Sequence, residues 1–166
     1  MPDPHTLLIF AQAVSVAALA AWLTTGAYEN LTYPDLNRTF TSEVLDMARL
    51  RETYPDIYAP LAHRRIANQN LQHALFWVIV AAEVLTALML WVGAIALLRA
   101  ALGYQDLAQA QALGLLAALM FTGIWASFLI VGNWFCYWFC HEIAQNTHFQ
   151  MVLWGLATMI LIAVGL

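Results

Sequence analysis

Apolar residues along this chain fall into four long stretches separated by charged or proline-bearing segments. The first runs without a charge from Thr6 to Tyr28, and the second lies between Arg65 and Arg99 with Glu83 as its only charge. The third, from Leu107 to His141, has none, and the fourth begins near Thr147 and continues to Leu166. A helix crosses a bilayer with about 20 residues. The pattern therefore predicts four spans over approximately 7–28, 71–98, 109–130 and 147–166. The third stretch is longer than a membrane, since Leu107 to His141 would form a helix of about 50 Å against a hydrocarbon core of about 30 Å. A bend is expected at Gly132-Asn133, with the chain extending to about residue 140. Trp134, Phe135, Tyr137, Trp138 and Phe139 follow that bend and mark the headgroup level, where aromatic rings collect. The first stretch carries Ala18, Ala20 and Ala21, which resemble a signal cleavage site. The preceding Met-Pro-Asp-Pro-His has no basic residue, so the stretch reads as a retained anchor.

Residues 29–70 form the one sizeable extramembrane loop. It holds Arg38, Arg49, Arg51, Arg64 and Arg65 against Glu29, Asp35, Glu43, Asp46, Glu52 and Asp56, one net negative charge. Pro34, Pro55 and Pro60 interrupt it. Ser42 is placed to cap a short helix whose apolar contacts come from Val44, Leu45, Met47 and Leu50. Tyr28, Tyr33, Tyr54 and Tyr58 predict a loop lying across the membrane surface. The expected fold is all-α, a single transmembrane domain over 1–166 built as an up-down four-helix bundle. Small residues four apart lie on one helical face. Ala13, Ala17 and Ala21 in span one, and Ala110, Gly114, Ala118, Thr122 and Ala126 in span three, make two such stripes, expected to meet inside the bundle.

Composition identifies the solvent. Hydrophobic residues make up 63% and charged residues 10% of the chain, with a mean hydropathy of +0.70. Soluble domains carry about half and a quarter respectively, so most of this surface faces lipid. All six basic residues are arginine and the net charge is −4, which excludes a nucleic-acid footprint. Cys136 and Cys140 are the only cysteines and make no disulfide framework.

Glu83 is the costliest residue in the chain. Placed near the middle of span two, an ionised carboxylate costs a few kcal/mol even on lenient insertion scales, and no arginine shares its depth. The expected solution is a protonated Glu83 facing the bundle, bonded to Thr86, Thr122, Ser127 or a backbone carbonyl; the functional alternative is a small transporter working through this acid. Alternating spans gather His63, His73, Cys136, Cys140, His141, Glu142 and His148 near one membrane face. Imidazole and thiolate suit transition metals, and facing histidines suit haem. This makes His73, His141, His148, Cys136 and Cys140 candidates for a haem or metal site in an electron-transfer protein. Against it, Cys136 and Cys140 lie four apart, and the run to His141 has one residue too many for a haem-attachment signature. Phosphate loops, dinucleotide fingerprints, nucleophile elbows and zinc-protease pairs are all missing from the sequence, and the loop is too small for an enzyme domain.

Short runs throughout the chain resemble an uncharacterised bacterial family of predicted small integral membrane proteins. They are Asn30, Asp35, Phe40 and Val44-Leu45-Asp46-Met47; then Leu71-Gln72-His73, Glu83, Gly93 and Leu97-Leu98-Arg99-Ala100; then Trp125, Gly132-Asn133-Trp134-Phe135, Trp138 and Asn146. The chain departs from the family at Asn133, where members carry an acid, and at Phe139-Cys140, where they carry Gln-Ser. It also keeps only Arg99 of a basic loop between spans two and three. The resemblance implies a fold and a membrane location without an activity. Arginine counts alone would place the first loop in the cytoplasm, whereas the family pattern implies both termini there. The resulting expectation is a non-catalytic accessory subunit of a bacterial inner-membrane complex, respiratory or photosynthetic in kind, with no resident cofactor or metal. Its partners are the lipid bilayer and other membrane subunits. It docks through Arg49, Tyr54, Trp134 and Trp138.

Overall fold

A computed structural model describes residues 3–164, and among these the chain is helical without a strand. Four helices are long and apolar enough to cross a membrane: α1 (Pro4–Thr32), α5 (Gln69–Ala101), α6 (Leu107–Trp134) and α8 (Glu142–Ala163). Between α1 and α5 lie α2 (Asp35–Leu45), α3 (Ala48–Thr53), α4 (Pro55–Tyr58) and a 3-10 helix over Ala59–Arg64. The short α7 (Tyr137–Cys140) separates α6 from α8. Capping residues outside the apolar runs explain why the long helices exceed those runs. Asp3 accepts from the His5 and Thr6 amides at 2.9 and 3.0 Å, with Pro4 at the first helical position. Asn68 does the same for Asn70 and Leu71, and Asp106 for Gln109. Helix α8 begins before its apolar run, with Glu142 in the first turn, where a carboxylate suits the helix dipole.

The four long helices pack in chain order, α1 along α5, α5 along α6 and α6 along α8, and α1 also touches α8. Asn30 meets Glu83 while Thr24 meets Trp91, so α1 and α5 run antiparallel. Away from the extramembrane segment, polar side chains tie three helices together. Gln12 Nε2 donates to the Leu161 carbonyl at 3.1 Å, Gln111 Nε2 donates to Gln12 Oε1 at 3.3 Å, and the Ser15 and Thr158 hydroxyls pair at 2.9 Å. In an apolar solvent such interhelical bonds are worth about 0.6–2 kcal/mol each.

The two small-residue stripes enter one buried core, in which Ala13, with Ala17 at its edge, lies with Ala110 and Ala118. The stripe of α6 is covered by α5 and α8: Ala110, Gly114, Ala118 and Thr122 are buried, Gly93 crosses directly over Gly114, and Gly155 of α8 sits against Thr122. The buried face of α1 is set instead by the larger Val16, Leu19 and Leu23, with Ala13 beside them. Ala17 is half-buried and Ala21 exposed. The expected bend also moves. Helix α6 runs straight through Gly132-Asn133, and the chain reverses at Cys136, which holds a left-handed backbone (φ 55°). Gly132 serves another purpose, because the Tyr137 ring occupies the space where a Cβ would stand.

The segment between α1 and α5 is a folded cap. Leu45, Met47 and Leu50 bury together against Phe135, with Val44 at the edge of the cluster, as the apolar pattern predicts. Ser42 is not a helix cap. It lies inside α2, which starts earlier, at Asp35 after Pro34, and the break falls at the left-handed Met47 (φ 50°). The charges pair within the cap: Asp46 takes Arg65 at 2.7 Å and Arg51 at 3.0 Å, and Glu43 takes Arg49 at 2.9 Å.

Candidate functional site

Glu83 faces inward and is 6% exposed. Asn30 Nδ2 donates to its Oε2 at 2.7 Å, and Asn37 Nδ2 of α2 donates to Asn30 Oδ1, also at 2.7 Å. The acid therefore has a partner that composition did not reveal. Two of the hydroxyls expected to serve it are engaged elsewhere: Thr122 donates to the Ala118 carbonyl and Ser127 to that of Ile124. Asn30 lies in the last turn of α1, next to Glu29, so Glu83 sits where α1 reaches the cap. The reason is length. Helix α5 is 33 residues, about 50 Å, so its first turns rise beyond α1 into the cap and its midpoint is not the bundle's. Asn30 extends the buried face of α1 through Leu23 and Ala27, the spacing that could have exposed its role.

Around Glu83 is a cavity of about 300 Å³, bounded by α1, α2, α5, α6, α7 and α8. Its walls are aromatic: Trp22, Phe40, Phe76, Trp125 and Phe128 stand around the Glu83–Asn30–Asn37 chain. Trp125 is 7% exposed, and its Nε1 has no hydrogen-bond partner among the described residues. Trp22 meets Trp125 edge to face with ring centroids 5.2 Å apart. Of the lining residues, Asn37, Val131 and Thr147 are exposed. A volume of this size is at the low end of small-molecule sites, which run from about 300 to 1,000 Å³.

Among the described residues, the histidines and cysteines are not grouped to share a metal ion. His148 stands in the cavity wall, its ring 5.4 Å from Trp125 and 6.0 Å from Tyr137, with the Tyr137 hydroxyl 3.5 Å from Nδ1. His141 lies beyond α7 against Phe40 at 4.9 Å, its Nδ1 unpaired among the described residues. His73 is exposed on α5. Cys136 and Cys140 are half-buried beside the cap cluster, both as free thiols. The described residues contain no group of three His, Cys, Asp or Glu side chains placed to share a metal ion. Burial holds the His141 imidazole below the usual histidine range, with Arg49 adding to the effect and Glu43 opposing it. Burial likewise raises the Cys140 thiol and pushes the Tyr137 phenol up to about 12. The Cys140 thiol and the Tyr137 phenol therefore stay protonated near neutrality, a poor start for nucleophilic or metal-binding chemistry, while His141 stays a neutral imidazole.

The cap and the aromatic segment do meet. Tyr54 packs edge-on to Phe139 at 4.8 Å, and Arg64 lies 4.6 Å over the Trp134 ring while its Nη1 donates to the Trp134 carbonyl at 3.2 Å. Arg64 is the residue that sequence reasoning missed here, one among five loop arginines with nothing to set it apart. Tyr54, Trp134 and Trp138 remain 42%, 53% and 44% exposed. Arg49 is exposed, paired with Glu43 and 6.0 Å from the Phe40 ring.

Four apolar helices of membrane length, joined by polar bonds inside and apolar outside, define an integral membrane protein. The family described as "Predicted small integral membrane protein (DUF2165)" matches residues 8–165, and the chain belongs to that family. No curated protein and no solved structure matches.

Proposed function

We propose that this protein is a non-catalytic accessory subunit of a larger assembly in a bacterial inner membrane, such as a respiratory or photosynthetic complex. Its four spans form an up-down bundle with both termini in the cytoplasm and the cap outside. The observation that carries the reading is the set of exposed rings, Tyr54, Trp134 and Trp138, with Tyr54 packed on Phe139, Trp134 under Arg64 of the cap, and Trp138 edge-on to Phe139. Rigid aromatic anchors with a nearby arginine carry most of the binding energy at protein interfaces, often about 2 kcal/mol or more each. Arg49 stands on the same cap.

The test is crosslinking in native membranes, with photoreactive side chains placed at Arg49 and Trp138. Products containing one and the same second membrane protein at both positions are expected. Products confined to this chain or to lipid would overturn the docking role and leave the rings as headgroup anchors. Trp138→Ala combined with Arg49→Ala should release the protein from its complex while the purified bundle keeps its helix content.

A further inference from the structure

We propose that the cavity beside Glu83 is a binding site for an organic ammonium group that carries an acceptor oxygen close to its charge, of the choline or ethanolamine type. The reading is independent of the docking role, because the cavity lies inside the helices and the exposed rings outside them. Three observations point to this chemistry. Among the described residues, Glu83 is the only acid in the wall and no lysine or arginine lines the cavity, so an anionic ligand has nothing to pair with and a cation does. The salt bridges of the described residues do not include Glu83, whose one described side-chain partner is the neutral amide of Asn30. A cation entering the cavity therefore meets a carboxyl group with acceptor capacity left over, since a carboxylate takes up to about four hydrogen bonds.

The second observation is the wall itself. Trp22, Phe40, Phe76, Trp125 and Phe128 line the same cavity as the acid. The negative faces of such rings attract ammonium groups within about 6 Å, most strongly where water is excluded. The third is the Trp125 indole, buried in the wall with its Nε1–H unpaired among the described residues. A purely cationic ligand would leave that donor unsatisfied, whereas a hydroxyl or ester oxygen beside the ammonium accepts from it. Acid, rings and donor together select one ligand shape. Asn37 and Thr147 are polar lining residues that are exposed. The same chemistry reaches this depth either as a free amino alcohol or as a lipid headgroup.

The experiment uses the full chain purified in an uncharged detergent and calorimetric titration at constant ionic strength. Choline is compared with 3,3-dimethylbutan-1-ol, its uncharged isostere, and short-chain phosphatidylcholine with phosphatidylglycerol. Choline should bind about tenfold tighter than the alcohol, the advantage of a charge in a desolvated aromatic site. Glu83→Gln keeps an acceptor for Asn30 and should erase that preference while the alcohol binds as before. Phe128→Leu, which keeps the bulk without the ring, should reduce the preference severalfold and so tests the site without touching the acid. Tight binding of free choline identifies a soluble ligand. Binding of phosphatidylcholine alone, lost in Glu83→Gln, identifies a headgroup, and either result supports the site. Equal affinities for choline and the alcohol, combined with no preference between the two lipids, would overturn it. So would a preference that survives in both variants.

Discussion

Burying the Glu83 carboxyl group is made tolerable by a single amide, Asn30 Nδ2 at 2.7 Å, itself positioned by Asn37. Removing a donor from a buried acceptor costs about 1–3 kcal/mol. Asn30→Leu should therefore lower the thermal unfolding midpoint in detergent, whereas Glu83→Gln should leave it nearly unchanged. The double variant Asn30→Leu with Glu83→Gln should be less destabilised than Asn30→Leu alone, because an amide is easier to leave unpaired than a carboxylate; strictly additive effects would deny the coupling. His141 gives a pH signature. Its folded-state value is depressed by burial, so its contribution is complete above about 6.5, the unfolded value, and is lost progressively as pH falls below that. Unfolding midpoints measured from pH 7.5 down to 5 should decline, and His141→Gln should decline less steeply across the same interval.

Glycines divide sharply between helix crossings and lipid-facing surfaces. A Cβ on Gly155 would collide with the Thr122 side chain, and one on Gly93 would come within 3.1 Å of the Gly114 Cα. A Cβ on Gly26 or Gly123 meets nothing within 4 Å. Gly155→Val and Gly93→Val should accordingly force α8 or α5 away from α6 and destabilise the protein by about 1–3 kcal/mol, the usual cost of overpacking. Gly26→Ala and Gly123→Ala should be neutral or slightly stabilising, since alanine favours a helix over glycine by up to about 1 kcal/mol. Unfolding in detergent separates the two pairs. The connection between α6 and α7 obeys the same steric logic, because the Tyr137 ring lies over Gly132 and Cys136 takes the left-handed turn. Gly132→Leu should displace Tyr137 and with it the wall around His148.

The proposed arrangement puts both termini on one side of the membrane and the cap on the other. A cysteine introduced as Asp46→Cys, in a chain with Cys136 and Cys140 replaced by serine, should react with a membrane-impermeant maleimide in right-side-out vesicles. Labelling confined to inverted vesicles would reverse the orientation and favour the arginine count of the first loop over the family pattern. The cap matters to this reading because it is folded against α5, α6 and α7 and pairs its own charges, which explains how so many arginines and acids coexist in a segment with almost no net charge. Surface pairs of this kind add little stability, about 0–1 kcal/mol each; the buried cluster of Leu45, Met47, Leu50 and Phe135 contributes more.

Four long apolar helices and a membrane location were legible in composition and run length, because lipid imposes those requirements on each segment separately. The apolar core of the cap was legible too, in the close spacing of Val44, Leu45, Met47 and Leu50. What could not be read was which faces meet. Alanine spacing marks a smooth surface without saying what covers it, and α6 spent its stripe on α5 and α8 while Ala21 of α1 stayed exposed. The partner of Glu83 stayed hidden for a related reason. Asn30 and Glu83 lie far apart in the chain, and only the register of α1 against an overlong α5 makes them neighbours. The cavity is a consequence of six helices meeting around that pair. A site assembled from residues on separate helices leaves no local pattern, so contact between them, set by packing, is what brings acid, rings and unpaired indole into one place.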